Sequence, residues 1–115
     1  YLDLKVITDE PQKIENLVKE MVVFIKRTEP ATKFYEYYIS SDKKSISLTE
    51  YYKDSKAAEK HVVDFLQGPY QETFFQLMEI RSFQVMGPAS KELIRSLEGI
   101  TDDFRIEVDG FNRNF

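Results

Sequence analysis

The run Lys44 to Leu66, KSISLTEYYKDSKAAEKHVVDFL, decides how the chain is read. From Ser45 to Tyr52 it alternates with period two, placing Ile46, Leu48, Glu50 and Tyr52 on one face and Ser45, Ser47, Thr49 and Tyr51 on the other. At Asp54-Ser55 the pattern changes. Ala58, His61, Val62, Phe65 and Leu66 then recur at three and four residues, the period of a helix with one packed face, and Asp54 or Ser55 is its cap. A strand therefore runs directly into a helix that carries the chain's one histidine, His61, on its inner stripe. Glu50 stands in an otherwise apolar row, so an acid, a phenol and an imidazole are brought toward one place.

Upstream, Leu2, Leu4 and Val6 alternate with Asp3, Lys5 and Ile7, which predicts a strand over 1–8. Asp9, with Gln12 three residues on and Pro11 in the first turn, predicts a capped helix running to about Arg27. Its apolar face is Ile14, Leu17, Val18, Met21, Val22 and Ile25, and Pro30 forbids continuation. The stretch 33–41 reads as a second strand with aromatic residues on both faces, so each side needs a cover. Ser41-Asp42-Lys43-Lys44 is the polar turn that returns it to the strand over 45–52.

Downstream, Gly68-Pro69 ends the histidine helix and starts a short one with Tyr70, Phe74, Leu77 and Met78 on its apolar face. Ile80 to Met86 reads as a fourth strand closed by Gly87-Pro88. Ser90 caps a helix bearing Leu93, Ile94 and Leu97, which ends at Gly99. Phe104, Ile106 and Val108 alternate as a fifth strand of unassigned partner. The order is a βαββαβ core over about 2–86 with a helix-strand extension over about 89–115, in one domain spanning 1–115. That core order predicts an α+β, ferredoxin-like fold with an antiparallel sheet and helices on one face. The bare face, carrying aromatic side chains, predicts a homodimer with sheets face to face.

Composition narrows the function classes. At 115 residues, 42% hydrophobic and 31% charged, the chain suits one globular unit. A net charge of −4 with scattered Lys and Arg speaks against nucleic acid and does not favour an acidic substrate. Without cysteine there is no thiolate nucleophile, thiolate metal site or disulfide scaffold, and a cytoplasmic setting is expected. No apolar run reaches the roughly 18 residues of a membrane span, and Tyr1-Leu2-Asp3-Leu4 lacks a signal-peptide layout, so no membrane partner is expected. Isolated glycines make no phosphate loop, and one histidine with scattered carboxylates makes no transition-metal site, so no metal is expected. Arg81 and Arg105 are read as solvent-facing or salt-bridged.

Several of these residues together resemble the antibiotic biosynthesis monooxygenase superfamily, which includes quinol monooxygenases. The resemblance rests on Pro30 followed by Tyr35-Glu36, on Glu50-Tyr51-Tyr52, on Asp54, and on the nine-residue separation of Tyr52 from His61. It covers about Leu2 to Met86. Ala31 stands where the family usually has Gly, and Tyr52 where it commonly has Trp. The resemblance implies a dimeric α+β barrel and a cofactor-independent oxidation of a small phenolic or quinol-type aromatic by O₂, with no metal or flavin. His61 would then act as base or donor and Glu50 as its partner or as a ligand of the substrate hydroxyl, while Tyr35, Tyr52 and Phe65 form the walls. Taken without the resemblance, His61 is a hydrogen-bonded packing residue, Glu50 a paired buried acid and the tyrosines core or interface. The alternative function is a non-catalytic dimeric module of the same fold that binds a small ligand or regulates.

Overall fold

The computed structural model describes residues 1–115. In chain order the elements are β1 (Leu2–Val6), α1 (Pro11–Thr28), β2 (Thr32–Ile39), β3 (Ser45–Tyr52), α2 (Ser55–Gln67), α3 (Gln71–Leu77), β4 (Met78–Met86), α4 (Lys91–Ser96) and β5 (Asp103–Arg105). The strands form one five-stranded sheet in the order β2-β3-β1-β4-β5. Its first four strands are antiparallel neighbours with the ferredoxin-like order. The fifth departs from the all-antiparallel expectation, because β5 joins the outside of β4 in parallel, with Val85 opposite Phe104.

Burial follows from strand order. β1 lies between β3 and β4, so its inward residues have neighbours on every side: Leu4 is 0% and Leu2 5% exposed. Across from them stand Ile46 and Leu48 of β3. Onto this row α1 lays Ile14, Leu17 and Met21, and α3 adds Phe74 and Leu77. The helical periodicity of α1 is thus the pattern that builds the core.

Three local readings are corrected. Asp9 does not cap α1: Glu10 holds the cap position without a side-chain bond, the Glu10 N–H donates to Thr8 Oγ1, and Gln12 turns to Asn16. Pro11 takes the first helical position, where its missing N–H would have had no partner inside the helix. Met78 belongs to β4, not to the helix face before it; its extended backbone pairs with Val6 and its side chain is 0% exposed. The last strand is three residues long, and Ile106 and Val108 lie beyond it at 81% and 100% exposure. The reason is the end of its template: β4 stops at Met86, and Gly87, at φ +117, turns the chain away after its N–H reaches Arg105 O.

Other expectations hold in detail. The 41–44 turn joins β2 to β3 as a hairpin, with Asp42 accepting from Ser40 Oγ and the Lys44 N–H, and Lys43 taking the left-handed conformation. Asp54 caps α2 by accepting from the Ala57 N–H at 2.9 Å, and Ser90 caps α4 by accepting from Leu93 at 3.0 Å. At the end of α2 a Cβ on Gly68 would stand 2.3 Å from Asp64 O, so only glycine lets the chain leave so abruptly into α3. Arg81 pairs with Asp3 and Arg105 with Asp103, the salt-bridged arrangement read from the sequence. No helix is long and apolar enough to cross a membrane.

The helices cover one face of the sheet. The other carries Phe34 stacked on Tyr51, with Tyr38 further along the same face of β2, all three exposed. Leu4 is the most informative core position to truncate. Leu4→Ala is expected to lower the unfolding free energy by about 3 to 5 kcal/mol, read as a shift of the urea midpoint; a loss below about 1 kcal/mol would contradict its place at the centre of the core.

Candidate functional site

His61 enters the second turn of α2 and points at the sheet, where it is 8% exposed. A buried imidazole needs partners for both ring nitrogens, and both find carboxylates. Nδ1 lies 3.0 Å from Glu29 Oε1 and 3.3 Å from Oε2 in hydrogen-bonding alignment, while Nε2 makes an ion-pair contact with Glu50 Oε1 at 3.2 Å. The side chains are shielded alike, at 10% exposure for His61, 2% for Glu29 and 11% for Glu50.

Each position has a local cause. Glu50 faces the helices because it lies two residues after Leu48 and four after Ile46, and the pleat sends all three the same way. Its register partner is Tyr35 on β2. Glu29 is the residue after α1, and Pro30 pulls its backbone out of the helical region. Its N–H still closes on Ile25 O, its carbonyl accepts from the Thr32 N–H, and Thr32 Oγ1 donates to its Oε1 at 3.2 Å. The turn from α1 into β2 is thus built around this carboxylate.

Tyrosines complete the enclosure. The ring of Tyr35 lies 5.4 Å and that of Tyr52 5.6 Å from the imidazole. Tyr35 and Tyr37 share a hydroxyl-hydroxyl hydrogen bond. The Tyr52 hydroxyl is buried and has no hydrogen-bond partner. An orphaned buried hydroxyl carries a desolvation penalty of about 1 to 3 kcal/mol, which a ligand atom in its reach would relieve.

The electrostatics assign protonation states. Burial alone would push His61 toward neutrality, but hydrogen bonding to Glu29 and to Glu50, with the charges of both carboxylates, outweighs it and raises its pKa to about 10. At neutral pH His61 is therefore a cation and a donor, not a base. Burial, reinforced by Tyr37 and Glu50, raises Tyr35, and burial with the charges of Glu50 and Glu29 raises Tyr52. Both stay neutral phenols that donate. Glu50, with one oxygen on the imidazolium and the other carrying no hydrogen bond from a side chain, is the group placed to accept a proton.

Of the residues singled out from sequence, Glu50, His61, Tyr35 and Tyr52 come together. Phe65 does not join them: it stands one turn further along α2, edge-on to Phe74 and Phe75. There it borders a crevice between α1, α2 and α3, shared with Met21, Phe24 and Tyr70, with room for about one water molecule. Glu29 was missed. The signal available was an acid immediately before Pro30 at a helix end, which reads as an ordinary surface residue unless the following strand is known to bring it under the histidine.

No family model matches the chain, and no curated protein does. Among solved structures it is similar to the crystal structure of MupZ from Pseudomonas fluorescens, with a TM-score of 0.78 over 97% of this chain and 90% of that one, at 17% identity. At that identity the likeness speaks for the fold, and it extends over the helix-strand extension as well as the βαββαβ core.

The charge state of His61 has a consequence for stability. A folded pKa of about 10 against an ordinary 6.5 means that the contribution is complete below pH 6.5 and is lost as pH rises through about 10. Urea unfolding is expected to show stability falling by a few kcal/mol between about pH 6.5 and 10. In His61→Gln most of that slope disappears; an unchanged slope would place its origin elsewhere.

Proposed function

We propose that the protein is an enzyme that oxidises a small phenolic or quinol-type aromatic with O₂, without metal or flavin, in the cytoplasm. One observation carries this reading: the imidazole of His61 is held against the Glu50 carboxylate, beside a buried tyrosine hydroxyl that lacks a partner. A neutral phenol meets these groups with complementary atoms. Its hydroxyl proton goes to Glu50, the Tyr52 hydroxyl donates to the oxygen left behind, and the His61 cation offsets the negative charge that develops.

The chemistry balances without a further reagent. The phenolate ring passes one electron to O₂, and the resulting radical pair combines at a ring carbon to form a peroxide. That peroxide takes the proton held by Glu50. Loss of water from the hydroperoxide, with the hydrogen of the same carbon, leaves a carbonyl. One oxygen atom ends in the product and the other in water, and a naphthol with a free para position becomes a quinone. Tyr35 and Tyr52 supply the apolar walls that keep water from the radical pair.

The second reading is a non-catalytic dimeric module that binds a small ligand or regulates. It is favoured by the filling of the space around His61, which Tyr35, Tyr52, Glu29 and Glu50 crowd from several sides. For oxidation, Tyr52 must move to admit a substrate, and its hydroxyl has no hydrogen bond to break as it does so. In both readings the exposed aromatic face of β2 and β3 is covered by a second copy of the chain, sheet against sheet.

Oxygen consumption with a panel of naphthols and hydroquinones separates the two. Turnover that falls about 10²-fold or more in Glu50→Gln and His61→Ala supports oxidation; no uptake by the wild type with any of them favours the module. Sedimentation at micromolar concentration is expected to give a dimer, and Tyr51→Lys to weaken it. A stable wild-type monomer would defeat the face-to-face arrangement.

A further inference from the structure

The two carboxylates that hold His61 are not equivalent. Glu29 is the more deeply buried, presents both oxygens to Nδ1 at 3.0 and 3.3 Å, and is itself held by Thr32 Oγ1 at 3.2 Å. Glu50 touches Nε2 through one oxygen at 3.2 Å. One carboxylate is anchored from behind by Thr32 and meets the ring with both oxygens, and the other meets it through a single contact. The geometry assigns Glu29 the part of a positioning residue: with Thr32 behind it, it fixes the ring of His61 and keeps its proton, so that Nε2 faces Glu50 and Glu50 is left to act on the substrate.

This role rests on the oxidation proposed above, but its physical content does not. Four titratable side chains face the ring: Glu29 from the end of α1, Glu50 and Tyr52 from β3, and Tyr35 from β2. The two phenols are neutral donors, so the cation is held by the carboxylates alone. Removing the charge of Glu29 leaves Nδ1 facing an amide and the imidazolium with one anion instead of two. In the proposed reaction the cation would then be lost as pH rises through about 8 rather than about 10, so between those values Glu50 would no longer have it to offset the phenolate. A residue that only filled space at the α1–β2 turn would have no such effect.

Because His61 is the only histidine, its ring C–H resonances can be followed by NMR without assignment. In Glu29→Gln the titration midpoint is expected to fall by about two pH units relative to the wild type, while Glu36→Gln, on the exposed face of β2, leaves it in place. Thr32→Val, which removes the donor behind Glu29 and keeps the carboxylate, is expected to give a smaller fall in the same direction, and it serves should Glu29→Gln fail to fold. With a phenol that the wild type oxidises, Glu29→Gln is expected to lose about tenfold in kcat at about pH 9, between the two midpoints, with little change in KM and a much smaller loss at about pH 7. Glu29→Asp is expected to recover part of that loss. A midpoint that does not move in folded Glu29→Gln or Thr32→Val overturns the assignment, and so does a midpoint that falls while kcat stays the same. The titration needs no substrate, so it decides on Glu29 even where the wild type consumes no oxygen, a result that would sink the oxidation alone.

Discussion

The ion pairs of His61 tie together three parts of the chain whose own side chains lie outside the buried apolar cluster around β1. Glu29 ends α1, Glu50 lies in the outer half of β3, and His61 belongs to α2. The core itself is centred on β1, with Leu2, Leu4, Ile14, Met21 and Met78 packed around it. Toward β2 the apolar packing gives way to tyrosines, and there the carboxylate-imidazolium-carboxylate bridge holds α2 against the sheet. Without the bridge, α2 would meet this end of the sheet mainly through phenol rings.

A bridge of this kind is not an efficient way to stabilise a fold. Desolvating an ion costs several kcal/mol, and a well-packed apolar cluster of the same volume often does as well or better. Here three charged groups and an unsatisfied hydroxyl share one enclosure, and the charges do not cancel, since one cation stands between two anions. Local departure from good packing and full hydrogen bonding is what a site designed for a ligand looks like. The remainder of the chain shows little such departure: Arg81 and Arg105 are paired at the surface, and the helix caps of α2 and α4 are satisfied.

Much of the fold was legible because its signals are local. Alternation over 45–52 and the three-four spacing of Ala58, His61, Val62 and Phe65 report which side chains face inward, and that is a property of each element by itself. The same spacing rule placed Glu50 and His61 in one enclosure. Where reading failed, the deciding interaction was remote in sequence. Met78 is drawn into β4 by pairing with Val6, 72 residues away. Ile106 and Val108 alternate as a strand should but find no template, because Gly87 has already turned β4 aside. Glu29 carries no periodic signal, since it sits in a turn, and its burial depends on a histidine 32 residues further on.

Phe65 and Glu29 show the same limit from opposite sides. Phe65 shares the stripe of His61, so spacing places it in the site; but one helical turn is about 5.4 Å, enough to move a side chain from the polar enclosure into the aromatic cluster with Phe74 and Phe75. Glu29 shares no stripe with any site residue, yet Pro30 bends the chain so that its carboxylate lies under the ring. Periodicity therefore identifies a face, whereas a site occupies only part of a face and borrows from the turns at its end. The turn from α1 into β2 is such a place. Its proline stops the helix, its threonine holds the acid, and together they convert an ordinary helix end into the fixed side of a charge-bearing enclosure.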